Sequence, residues 1–86
     1  MDTRAIVLAA ITKIAPDVDP SALPGDVDFR EEAELDSMDF IGILTAVHEA
    51  TGVESPELDY PLITTVDAFA DYLDGRVRPD GGPSAQ

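Results

Sequence analysis

The apolar positions of this chain fall into three stretches with helical spacing, separated by segments with no period. From Thr3 to Ala15, the residues Val7, Ala10, Ile11 and Ile14 recur at i, i+3, i+4 and i+7, the repeat of a helix that buries one face. Pro16 ends it, because proline lacks the N–H and clashes with the preceding turn. A second helix is predicted from about Ser37 to Thr51. There Phe40, Ile43, Leu44 and Val47 make one complete stripe, while Met38, Ile41, Gly42, Thr45, His48 and Glu49 make another beside it. Asp36 is a good N-cap, Asp39 places charge in the first turn, and Gly52 stands where a C-cap is needed. The first stripe reads as core. The second is apolar near the helix start and either widens the core contact or serves as a docking face. Thr64 or Thr65 caps a last helix, with Val66, Phe69, Ala70 and Leu73 facing inward, Asp67, Asp71 and Asp74 outward, and Gly75 at its end.

The twenty residues after Pro16 carry Pro20, Pro24 and Gly25 with no sustained period. A loop of that length in a small domain must be packed or functional. Val18, Leu23, Val27, Phe29 and Leu35 can anchor it, and a short helical turn is predicted near Ser21 to Leu23. After Gly52, Pro61 limits the stretch from Glu57 to Ile63 to a turn or two of helix. No run alternates apolar and polar residues between turn signals, so no strand is predicted. The pattern describes an all-α domain over residues 1–78. It is a small three-to-four-helix bundle with a long loop between the first and second helices. The tail, residues 79–86, has no apolar anchor and is expected to be disordered.

Composition narrows the function. Eighty-six residues make one small domain with a modest core, too short for a core plus a deep substrate cleft. The 18 Asp and Glu against 5 Lys and Arg give a formal charge of −13. That charge repels nucleic-acid phosphates and anionic membrane surfaces, opposes self-association and favours partners with basic patches. A monomer is expected. With no cysteine, neither a disulfide framework nor a thiolate metal site can form. The N-terminal apolar stretch is interrupted by Lys13, too short to span a bilayer and unlike a signal peptide. The expected location is the cytoplasm.

Candidate chemistry is sparse. Ser37 and the only histidine, His48, lie eleven residues apart on one helix, about 16 Å along its axis at roughly 1.5 Å per residue. They form no catalytic dyad, the G-x-S-x-G elbow is absent, and no catalytic residue is assigned. Asp17 to Asp28 resembles a calcium loop only loosely. Ala22 replaces the glycine of the sharp turn, Pro20 stiffens the loop, and the bidentate glutamate is missing, so no metal site is assigned. Glu31, Glu32 and Glu34 read as a solvated acidic face. Asp36-Ser37 is left. A serine just inside a helix N-terminus projects its hydroxyl outward, where a phosphate would meet free N–H groups and the positive end of the helix dipole. The residues alone favour a plainer reading, in which Ser37 only starts a helix.

The stretch Leu35-Asp36-Ser37-Met38-Asp39 resembles the signature of the acyl carrier proteins, in which such a serine opens the second helix and carries 4′-phosphopantetheine. The surrounding order is similar too, with a first helix, a long loop, a second helix closed by Gly52, and Ile63-Thr64-Thr65-Val66-Asp67 leading into the last helix. The resemblance covers roughly residues 3 to 76. It implies a carrier, not an enzyme. A phosphopantetheinyl transferase would attach the arm to Ser37 from coenzyme A with magnesium. The thiol of the arm would then present acyl groups as thioesters to ketosynthases, acyltransferases or acyl ligases of fatty-acid, polyketide or related lipid and secondary-metabolite biosynthesis.

The same resemblance implies partner-binding roles for Asp36, Met38, Asp39, Ile41, Gly42, Thr45 and Glu49, with Gly42 giving a partner room to approach. It also implies an acyl pocket lined by Phe29, Phe40, Val47, Ile63 and Phe69, although three phenylalanines equally fill that space. Gly42 and His48 stand where the common fatty-acid pattern is acidic, which points toward a specialised pathway. Two alternatives stay open: an aminoacyl or peptidyl carrier, and an unmodified acidic helical interaction module.

Overall fold

Each main helix begins where the sequence supplies a cap. In the computed structural model, which describes residues 2–76, α1 spans Thr3–Ile14. Asp2 caps it by accepting the Ala5 N–H at 3.1 Å, and Thr3, Val7, Ala10 and Ile11 form its buried face. The expected tail, 79–86, and the domain boundary at 78 lie outside the described residues.

The long loop holds more structure than its pattern suggests. A 3-10 turn at Pro20–Ala22 falls where a helical turn was predicted, fixed by the Asp19 carboxylate accepting from the Ser21 N–H. Beyond it is a helix with no counterpart in the expected pattern, α2, Phe29–Glu32. Asp28 caps it by accepting the Arg30 N–H at 2.9 Å. The Phe29 N–H donates to the Thr64 carbonyl at 3.0 Å, and Asp28 pairs with Thr65 in an isolated bridge. A helix of one turn is not stable alone. Burying Phe29 and pinning the backbone to the segment before α4 hold it in place. Of the other predicted anchors, Val18, Leu23 and Leu35 pack at the edge of the core, and Val27 is half-buried.

Helix α3 spans Ser37–Thr51 and starts with a full capping box: the Asp39 N–H donates to Asp36 Oδ1 at 2.9 Å, and the Asp36 N–H donates to Asp39 Oδ2 at 3.4 Å. Gly52 ends it at φ 76°, a left-handed conformation that glycine adopts without steric cost. After it, a 3-10 segment at Glu57–Leu62 buries none of its residues. That segment is tied to the bundle by the Tyr72 hydroxyl, which donates to Asp59 Oδ2 at 2.6 Å, while the Arg76 guanidinium lies over the Tyr72 ring. Burial, and then the Asp59 carboxylate that needs the Tyr72 proton, push the phenol above its ordinary range. Helix α4 spans Val66–Asp74. Of the two candidate caps it uses Thr65, whose hydroxyl accepts the Ala68 N–H at 3.0 Å.

Helix α1 packs against both α3 and α4. Thr3 Oγ1 donates to Asp74 Oδ1 at 2.8 Å, and Arg4 pairs with Asp67, which ties the start of α1 along α4. Val7, Ile11, Phe29, Ile43, Val47, Ile63, Val66, Phe69 and Leu73 are fully buried. Such side chains each contribute about 1.5–3 kcal/mol before entropy is counted. Leu44, expected in the core stripe, is only partly buried, because Phe40, Ile43, Val47 and Thr51 occupy the innermost line of α3. Among the described residues no helix is long and apolar enough to cross a membrane.

Candidate functional site

The capping box that starts α3 also sets the position of Ser37. Asp36 takes the Asp39 N–H on its side chain and the Phe40 N–H on its carbonyl. The N–H groups of Ser37 and Met38 are the other two of the first turn and point out of the helix end. Ser37 is exposed, as are Met38 and Ile41 on the face beside it. Asp36 and Asp39 set two carboxylates beside Ser37, which disfavours a free phosphate at this helix start. His48 lies near the far end of α3, and among the described residues the structure brings no histidine to the serine.

Ser37 sits on the rim of an open groove. One wall is formed by Asp28, Arg30, Glu31, Glu34, Leu35 and Asp36, and the other by Ile41, Glu57 and Tyr60. Phe40 is at the bottom, where Tyr60 meets its ring edge-on with centroids 5.2 Å apart. The Arg30 guanidinium lies 5.2 Å from the Phe40 centroid and is forked onto Asp28, with Nε to Oδ1 at 3.1 Å and Nη2 to Oδ2 at 2.9 Å. A planar guanidinium can satisfy both carboxylate oxygens while its face rests on an aromatic ring, and an ammonium cannot.

This fork, Arg30 foremost, holds the Asp28 carboxyl below its ordinary range and raises the Arg30 guanidinium. A depressed carboxylate stabilises the fold above its unfolded pKa of about 3.9, and that contribution is lost as pH falls through the lower folded value. Asp28→Asn keeps the cap of α2 but not the charge. Thermal melts across an acid series should show wild type more stable than Asp28→Asn at neutral pH, with the gap closing once the pH falls below about 4.

The structure does not place the site residues expected from sequence on one surface. Met38, Ile41 and Thr45 lie along one outer side of α3, with Thr45 Oγ1 donating to the Ile41 carbonyl at 3.0 Å, while Asp36 and Asp39 close the capping box at the helix start. Glu49 is exposed and lies 3.9 Å from Lys13 of α1. Gly42 faces α1: a β-carbon there would stand 2.9 Å from Ile14 Cδ1, so the glycine gives that side chain room. Phe29, Phe40, Val47, Ile63 and Phe69 are all buried. Phe29 joins Phe40 at 6.1 Å and Phe69 at 6.4 Å between centroids, so the rings pack on one another. Of these five, only Phe40 lines the groove.

Sequence reasoning missed the other groove residues, Asp28, Arg30, Glu31, Glu34, Leu35, Glu57 and Tyr60. Arg30 had one visible signal, as the lone cation among nine carboxylates from Asp17 to Asp39.

A family profile described as "Phosphopantetheine attachment site" matches residues 5–73. The chain is 36% identical over 73 residues to an acyl carrier protein of Rubrobacter xylanophilus, covering 81% of this chain and 90% of that one. It is 30% identical over 60 residues to an acyl carrier protein of Thermosynechococcus vestitus, covering 70% of this chain and 74% of the relative. No solved structure matches significantly. The cofactor of this family is 4′-phosphopantetheine, and its members carry groups for enzymes without being enzymes themselves. With a serine exposed at a capped helix start, a groove beside it and a profile match across the bundle, the chain belongs to the acyl carrier protein family.

Proposed function

We propose that Ser37 is the residue to which phosphopantetheine is attached, and that the chain delivers acyl groups to enzymes of a specialised polyketide, lipid or secondary-metabolite pathway in the cytoplasm. The observation that carries this reading is the exposed Ser37 hydroxyl at the start of α3, on the rim of the groove. When attached, the arm supplies the thiol that holds acyl groups as thioesters, a sulfur that this cysteine-free chain lacks. Asp36 and Asp39 offer charge to a basic patch on a transferase or acyl-processing enzyme. Met38, at 79% exposure, and Ile41 offer apolar contact beside that charge. The functional domain is taken as residues 1–78.

A second reading concerns the cargo. Five carboxylates, those of Asp28, Glu31, Glu34, Asp36 and Glu57, line the groove against the single cation of Arg30. That lining suits a protonated amino group and so favours an aminoacyl cargo. Tandem mass spectrometry of the protein isolated from its own cells tests both readings, because the arm is ejected together with what it carries. An acyl mass on a fragment containing Ser37 is the expected result. An amino-acid mass installs the second reading, and a chain without any arm overturns both.

A further inference from the structure

We infer that Arg30 is a specificity-determining residue: forked to Asp28 and laid over Phe40, it closes the way from the groove beside Ser37 to the phenylalanine interior. Cargo then lies in the groove, and a long chain is kept out of the core. This rests on the proposal that Ser37 bears the arm.

Phe40 is where groove and core meet. It is only 4% exposed, with Tyr60 against its edge and Arg30 above its face, and behind it Phe29 and Phe69 are fully buried. A chain entering the bundle from the groove has to move the Phe40 ring, and the guanidinium sits over that ring. The latch has a fixed base. Asp28 caps α2 through the Arg30 N–H, and the backbone of Asp28 and Phe29 just before Arg30 is held to Thr65 and Thr64. The moving part is weaker, because the fork is partly exposed, with 38% of the Arg30 side chain accessible. An ion pair so exposed can be removed without unfolding a domain. Charge adds to the barrier: an alkyl chain passing this point would strip water from a guanidinium and a carboxylate and offer them nothing in return.

The test loads wild type, Arg30→Met and Asp28→Asn with butanoyl or octanoyl arms, using a broad-specificity transferase and the matching acyl-coenzyme A, with intact mass confirming each product. Thioester cleavage by hydroxylamine is then timed against the same acyl group on free pantetheine, and melting temperatures are compared with the unacylated holo form. In wild type, butanoyl and octanoyl should be cleaved equally relative to their free counterparts. In both variants octanoyl should be cleaved several-fold more slowly than butanoyl, and its attachment should raise the melting temperature.

Protection of octanoyl in wild type would overturn the latch. So would variants that protect it no better than wild type, even if they melt lower in every form, since Arg30 would then act only as scaffold. If Arg30→Met does not fold, Asp28→Asn decides, because asparagine retains the helix cap. Failure of wild type to gain an arm removes the carrier reading and the latch together. Normal loading without the chain-length effect removes the latch alone.

Discussion

Ser37→Ala should gain no mass when incubated with coenzyme A, magnesium and a broad-specificity phosphopantetheinyl transferase, whereas wild type gains one phosphopantetheine per chain. The substitution isolates the hydroxyl. Ser37 is the first residue of α3, while the cap is supplied by Asp36 and the box is closed by Asp39. Alanine is the best helix former and Ser37 is exposed, so the fold should survive unchanged. Matching melting curves for the two proteins will establish that the loss is chemical. If Ser37→Ala is still modified, the arm sits on another hydroxyl, and the proposed role of the α3 start fails.

The largest effect on stability is expected from Phe29→Ala. Phe29 is fully buried and links Phe40 on one side to Phe69 on the other. Truncating such a ring typically costs about 3–5 kcal/mol, and a domain of this size has only roughly 4–13 kcal/mol in total. A fall in melting temperature of roughly 20 °C is expected from calorimetry or circular dichroism. The damage should extend to the site, because Phe29 is the buried residue of α2, and α2 carries Arg30 and Glu31 of the groove wall. A shift of only a few degrees would mean that α2 is held by its backbone contacts to Thr64 and Thr65 alone.

The three long helices were legible because periodicity and punctuation agree in them. Pro16 follows the end of α1, and Asp36 and Gly52 bracket α3 within a residue of the predicted bounds. Helix α2 was not legible as a helix, since four residues cannot display a period. Its cap signature, Asp28 followed by Glu31 and Glu32, is written in the sequence. What stabilises it is tertiary, and comes from Phe40 on the next helix and from Thr64, Thr65 and Phe69, more than thirty positions away. Gly42 shows a different limit: a helical stripe tells which residues share a face, not which neighbouring helix that face meets. Ser37 could be placed at a helix start from the chain alone, whereas the groove beside it draws on α2, α3 and the segment around Tyr60, a combination that no local pattern encodes.

The clamp on that last segment bears on how the site behaves over time. Glu57–Leu62 buries none of its own residues, leaves Leu58 92% exposed, and relies on the Tyr72 hydroxyl and on Tyr60 against Phe40 to stay in place. A segment with so little burial is expected to open more readily than the helices, and its amide protons should exchange before those of α1 or α3. The groove therefore draws Glu57 and Tyr60 from a segment with no fully buried residue, and Arg30 and Glu31 from a helix pinned to the segment before α4.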